Sequence, residues 1–133
     1  MLRALALAAV LVLAAPAGAD PAPPAASRER AESSFRDFAR EFMARVRAHE
    51  QREKVRPRVA AGPGSPVVTY RGYGEEFRTE LRDTGSAAAP FVGLLHYTER
   101  VYSCRDLASD ECSVAASAPV TEVFRYRGGR WAY

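Results

Sequence analysis

The chain has 133 residues, 19 basic and 16 acidic side chains, and a formal net charge of +3. That length suits one domain with one modest core. A charge so close to balance gives no case for a nucleic-acid partner.

Residues 1–19 have the layout of a secretory signal peptide. Arg3 supplies a cationic start, Ala4 to Ala15 an apolar run, and Ala17-Gly18-Ala19 a small-x-small cleavage site before Asp20. The apolar run is about 12 residues, short of the roughly 20 that span a bilayer. The expectation is an exported chain, periplasmic or extracellular, that begins near Asp20 and has no transmembrane segment. Loss of Arg3 would leave 18 of the 19 basic residues against 16 acids, a net of +2. Lys54 is the one lysine among many arginines and alanines, as expected of a GC-rich bacterial genome.

DPAPPAAS, residues 20–27, reads as a disordered Pro/Ala-rich leader. From Ser27 the pattern becomes helical. Phe35, Phe38, Ala39, Phe42, Met43 and Val46 recur at steps of three and four, with arginines and acids between them. The spacing predicts a helix over 28–54, its apolar stripe facing a core rather than forming a partner groove. Ser27 or Ser34 is the candidate cap, Ser34 with Asp37 three residues on. Pro57 ends the helix, because the residue before proline avoids helical backbone angles.

AAGPGSP, residues 60–66, is a loop. In EEFRTELRD, Phe77, Thr79 and Leu81 alternate with charged residues, which predicts a half-buried antiparallel strand. VVTYRGY before it is extended too, with Gly72 and Gly74 marking a bend or bulge. Residues 83–90 form a turn. Phe91 to Cys104 and Cys112 to Arg127 are two further extended runs, the second interrupted by Pro119, which marks an edge or a bulge. Gly128-Gly129 is a two-residue hairpin turn into a last short strand, RWAY.

These elements predict a single α+β domain over 28–133, one long N-terminal helix packed on a curved four- to five-stranded antiparallel sheet. A long helix, then a meander ending in VFRYRGGRWAY, resembles the cystatin-like/NTF2-like superfamily. The resemblance implies a helix lying across the sheet and a cone-shaped site beneath it.

Cys104 and Cys112 are the only cysteines. Pairing them across one hairpin sets a self-consistent register in which Tyr102 meets Val114, Arg100 meets Ala116 and Val92 meets Phe124, with Pro119 the one place where its far half could shift by one. Val92, Leu94, Tyr102, Val114, Val120 and Phe124 then share the cysteines' face, the more apolar one. Opposed residues lie within disulfide range, and an exported chain favours the bridge. Cys-x7-Cys matches no zinc spacing and is not the Cys-x-x-Cys of redox pairs. Asp106, Asp110 and Glu111 sit in the enclosed loop; they read as turn residues rather than a calcium site.

His49, near the helix end, reads as a surface group. His96 lies mid-strand on the face expected to meet the helix, with Tyr97 and Asp83 as possible company, and is the candidate general base. No sequence pattern of a Ser-His-Asp site, phosphate loop, zinc site or cofactor appears. Residues 28–58 carry ten cations and six acids, whereas 59–124 carry five and nine. The helix therefore reads as basic and the sheet as acidic.

Three functions stand as expectations. The first is an exported, non-catalytic binding domain for an unidentified protein or small-molecule partner, with a homodimer through the sheet as one form of it. The second is an NTF2-like small-ligand pocket or enzyme using His96. The third is an envelope-surface protein held by its arginine-rich helix.

Overall fold

The computed structural model describes residues 24–107 and 111–133, with side chains from Ser27. The expected signal peptide, the start of the leader and Asp110 lie outside the described residues.

Helix α1 spans Pro24–Val55. It starts inside the stretch read as leader, and a proline suits a first helical position because its missing N–H has no partner to lose there. Ser27 and Ser34 are therefore interior, not caps. Ser34 Oγ instead donates to the Ala31 carbonyl at 3.0 Å, and Asp37 pairs with Arg40. The helix ends beside Pro57 as its chemistry requires. The buried stripe is Ala31, Phe35, Ala39 and Met43, flanked by half-buried Phe38, Phe42 and Val46.

Five strands follow: β1 Arg58–Ala60, β2 Val67–Asp83, β3 Phe91–Cys104, β4 Cys112–Arg127 and β5 Arg130–Ala132. They form one antiparallel sheet in the order β1-β2-β3-β4-β5, a meander. The chain is thus α+β, with one helix packed against a curled sheet. The two extended stretches read before the 83–90 turn are one strand, β2, carrying a bulge between Tyr73 and Phe77. Gly74 falls in that bulge, whereas Gly72 sits in regular pairing opposite Arg100. The short, exposed β1 has no pattern in the sequence strong enough to announce it.

The β3–β4 register follows the expected one only near the cysteines. Cys104 meets Cys112 and Tyr102 meets Val114, but beyond Ala115 the pairing slips by one. Arg100 meets Ser117 rather than Ala116, and Val92 meets Arg125 rather than Phe124. The slip comes at Ala115, not at Pro119, which stays in register opposite Thr98 on an edge strand. A slip of one residue exchanges the two faces of a strand. Phe124 and Val120 therefore join Leu95 and Tyr97 under the helix, while Val92 and Leu94 face away.

The core forms where the helix stripe meets that face. Phe35, Phe38 and Phe42 surround Phe124, with Phe38–Phe124 and Phe42–Phe124 edge-on at 4.8 and 5.4 Å between ring centres. Burying each such side chain stabilises the fold by about 1.5–3 kcal/mol. Gly128 and Gly129 both have positive φ, 54° and 76°, and return the chain into β5. That hairpin brings Trp131 to Phe35 at 4.6 Å, where its Nε1–H donates to Ser34 Oγ at 3.0 Å. The Cys104 and Cys112 sulfurs are at bonding distance and close the far end of the β3–β4 hairpin. No helix among the described residues is long and apolar enough to cross a membrane.

Candidate functional site

Residues opposed in an antiparallel ladder point to the same side of the sheet. Arg78, His96 and Thr121 thus form one row across β2, β3 and β4, and Glu80 is the next residue of that face along β2. This face is the one turned away from the helix. His96 is not under the helix, because its neighbours Leu95 and Tyr97 take the buried positions.

His96 Nδ1 lies 2.9 Å from Thr121 Oγ1. Its Nε2 lies 3.5 Å from Glu80 Oε2, in ion-pair range but long for a hydrogen bond. Nε2 is otherwise buried without a hydrogen-bond partner. Arg82, bonded to Glu80 Oε1 at 2.7 Å, holds the Glu80 carboxyl below its ordinary range, and His96 adds to this. Beside the ring, the β2 bulge opens a solvent-facing depression of about 420 Å³, lined by Glu76, Arg78, His96, Thr98, Pro119 and Thr121.

A carboxylate, an imidazole and a hydroxyl in sequence could relay a proton. The surrounding amides, however, belong to the β2–β3–β4 ladder and do not point at a common reacting atom, as acyl transfer requires. The two residues proposed as company for His96 are elsewhere. Tyr97 faces the helix; its hydroxyl donates to Glu122 Oε1 at 3.3 Å, and burial first, then Glu122, pushes it well above the ordinary phenol range. Asp83 lies opposite Phe91 and pairs with Arg28 of the helix. The actual partners, Glu80 and Thr121, were hidden by the register. With the expected pairing His96 meets Val120; the Ala115 slip replaces that valine with Thr121.

The hairpin loop is held by Arg105, which pairs with Glu111 at 3.0 Å. Among the described residues no group of three or more His, Cys, Asp or Glu is placed to hold a metal ion.

The two edges of the sheet differ. On β2, β1 covers only Val67 to Thr69. Beyond that, α1 side chains take the place of a strand. Glu53 Oε2 accepts the Arg71 N–H at 3.0 Å, Glu50 Oε2 accepts the Tyr73 N–H at 3.2 Å, and Arg47 donates to the Glu75 carbonyl. These three helix residues stand three apart, so they share one face. Burial alone would raise the Glu53 carboxyl, but the Arg71 N–H, then Arg58, then His49 outweigh it and hold it below its usual value. On β4, by contrast, β5 covers only Arg125 to Arg127. The outer edge from Ser113 to Phe124 has no strand against it among the described residues.

No protein-family model, curated protein or solved structure matches this chain.

Proposed function

We propose that the chain is an exported, non-catalytic binding domain of cystatin-like shape that takes an extended peptide along the outer edge of β4. The observation that carries this reading is the contrast between the edges: helix side chains close β2, and β4 has no strand against it over Ser113–Phe124 among the described residues. An added strand gains main-chain hydrogen bonds along such an edge, and side chains set its selectivity. Except for Val114, the side chains from Ser113 to Ala118 are serine and alanine, which lets another backbone approach. The bridge between Cys104 and Cys112 holds the template in place before binding, so less order is lost on association. Pro119 has no N–H and limits the usable edge to the segment before it. A second copy offering its own β4 is the homodimer form of the same contact.

The test is selection of ten-residue peptides from a random display library against the immobilised oxidised domain. Hydrogen exchange then follows each selected peptide. Protection confined to β4 amides supports the reading. Protection around His96 or on α1, or no selected peptide, overturns it. Sedimentation of the free protein distinguishes the homodimer form.

A further inference from the structure

We propose that the sheet face turned away from the helix docks onto an anionic lipid surface. Over residues 59–124 the acids outnumber the cations, yet alternation sorts them by side. Asp83 is drawn to Arg28, Glu99 pairs with Arg71, and Glu122 reaches Tyr97, all on the helix side or its rim. The rows of the other face hold Arg78, Arg82, Arg100, Arg125, Arg127 and Arg130 against two acids, Glu80, which pairs with Arg82, and Glu76, which lines the depression beside His96. His96 stands among them.

The arrangement within the rows narrows the occupant. Arg82, Val92 and Arg125 form one row, Glu80, Leu94 and Val123 the next, and Arg78, His96 and Thr121 a third. The aliphatic pair Leu94 and Val123, with Val123 49% exposed and Glu80 at the other end of its row, thus lies between two rows that carry arginine. Adjacent strands are about 4.8 Å apart, so Arg82 and Arg125 flank Val92 across about 10 Å. Arginine stems can lie along such a surface while their guanidinium groups reach headgroup phosphates. Apart from the mostly buried His96 imidazole these three rows carry no ring, and Tyr70 and Tyr102 further along the face stack on each other, whereas a single-stranded nucleic-acid surface would use free rings. Apart from the open depression beside His96 these rows form a face rather than a groove, which suits a bilayer surface better than a polysaccharide chain. This docking face is separate from the β4 edge, and neither proposal depends on the other.

The experiment is cosedimentation of the full oxidised chain with vesicles of equal phosphatidylglycerol and phosphatidylcholine, and with phosphatidylcholine alone. Binding to the anionic vesicles alone is expected, and it should fall away near 1 M salt, where screening acts within about 3 Å. Each arginine near an anionic surface is expected to contribute about fivefold. The variant Arg78→Glu with Arg125→Glu and Arg127→Glu should therefore lose more than a hundredfold. A charge-matched helix variant, Arg30→Glu with Arg36→Glu and Arg52→Glu, should retain binding. Val123→Ser should weaken it severalfold. Should the triple sheet variant fail to fold, Arg125→Gln with Arg127→Gln carries the same test. The proposal is overturned by no binding to anionic vesicles, by equal or greater loss in the helix variant, or by tighter binding to soluble heparin or single-stranded DNA than to vesicles.

Discussion

The ring of Phe35 lies on the backbone of Gly93, so closely that a Cβ on Gly93 would come within 2.4 Å of Phe35 Cζ. Helix and sheet meet here without an intervening side chain. Gly93→Ala should therefore destabilise the fold by about 1–3 kcal/mol, since the surrounding core cannot widen without strain. Chemical denaturation measures the loss. Phe35→Leu in the Gly93→Ala chain should recover part of it, so the two changes should be non-additive. Simple additivity would show that the contact is not tight.

Glu50 and Glu53 act as a substitute strand on the β2 edge. Hydrogen bonds from amides to carboxylates contribute about 1.5–3 kcal/mol each. Glu50→Ala with Glu53→Ala should speed hydrogen exchange at the Arg71 and Tyr73 amides far more than at Leu95. A bared edge also templates pairing between chains, so the variant should aggregate sooner. Unchanged exchange at Arg71 would refute the capping role.

Acid should weaken the same contact. The folded Glu53 carboxyl titrates below its ordinary value of 4.5. Its contribution is thus fully present above that value and is lost as pH falls through the folded value. Unfolding free energy measured against pH should decline in that acid range, and Glu53→Gln should flatten the slope. An identical slope in the variant would assign the acid response to other carboxylates.

Closing the hairpin through Cys104 and Cys112 should stabilise by about 2–3 kcal/mol in the chain-entropy account. Reduction, or Cys104→Ser with Cys112→Ser, should lower the melting temperature without unfolding the core, which lies at the other end of β3. Mass spectrometry after alkylation without reductant should find no free thiol in the protein purified without reductant.

Ser34 joins helix and last strand by accepting from Trp131. Ser34→Ala leaves the half-buried indole N–H without this partner, at a cost of about 1–2 kcal/mol. Tryptophan fluorescence reports on Trp131 alone, the single tryptophan in the chain. A changed emission in the folded variant checks the contact.

Much of this was legible in one dimension. The three-and-four spacing from Phe35 to Val46 identifies the helix and its buried stripe. Phe77, Thr79 and Leu81 identify a half-buried strand, and Gly128-Gly129 identifies the turn into the last one. Such features are local: backbone period and positive φ are properties of short segments. Three outcomes were not local. The Ala115 slip moved Phe124 under Phe35 and put Thr121 rather than Val120 beside His96, because a face reverses with every residue of register. The β2 bulge had a hint in Gly74 but no extent. Charge was the third. The sequence alone makes the sheet segment acidic, yet alternation places Asp83, Glu99 and Glu122 toward the helix and Arg78, Arg82 and Arg100 on the far side. A linear count cannot separate the faces; only pairing across β2, β3 and β4 decides which charges stand together.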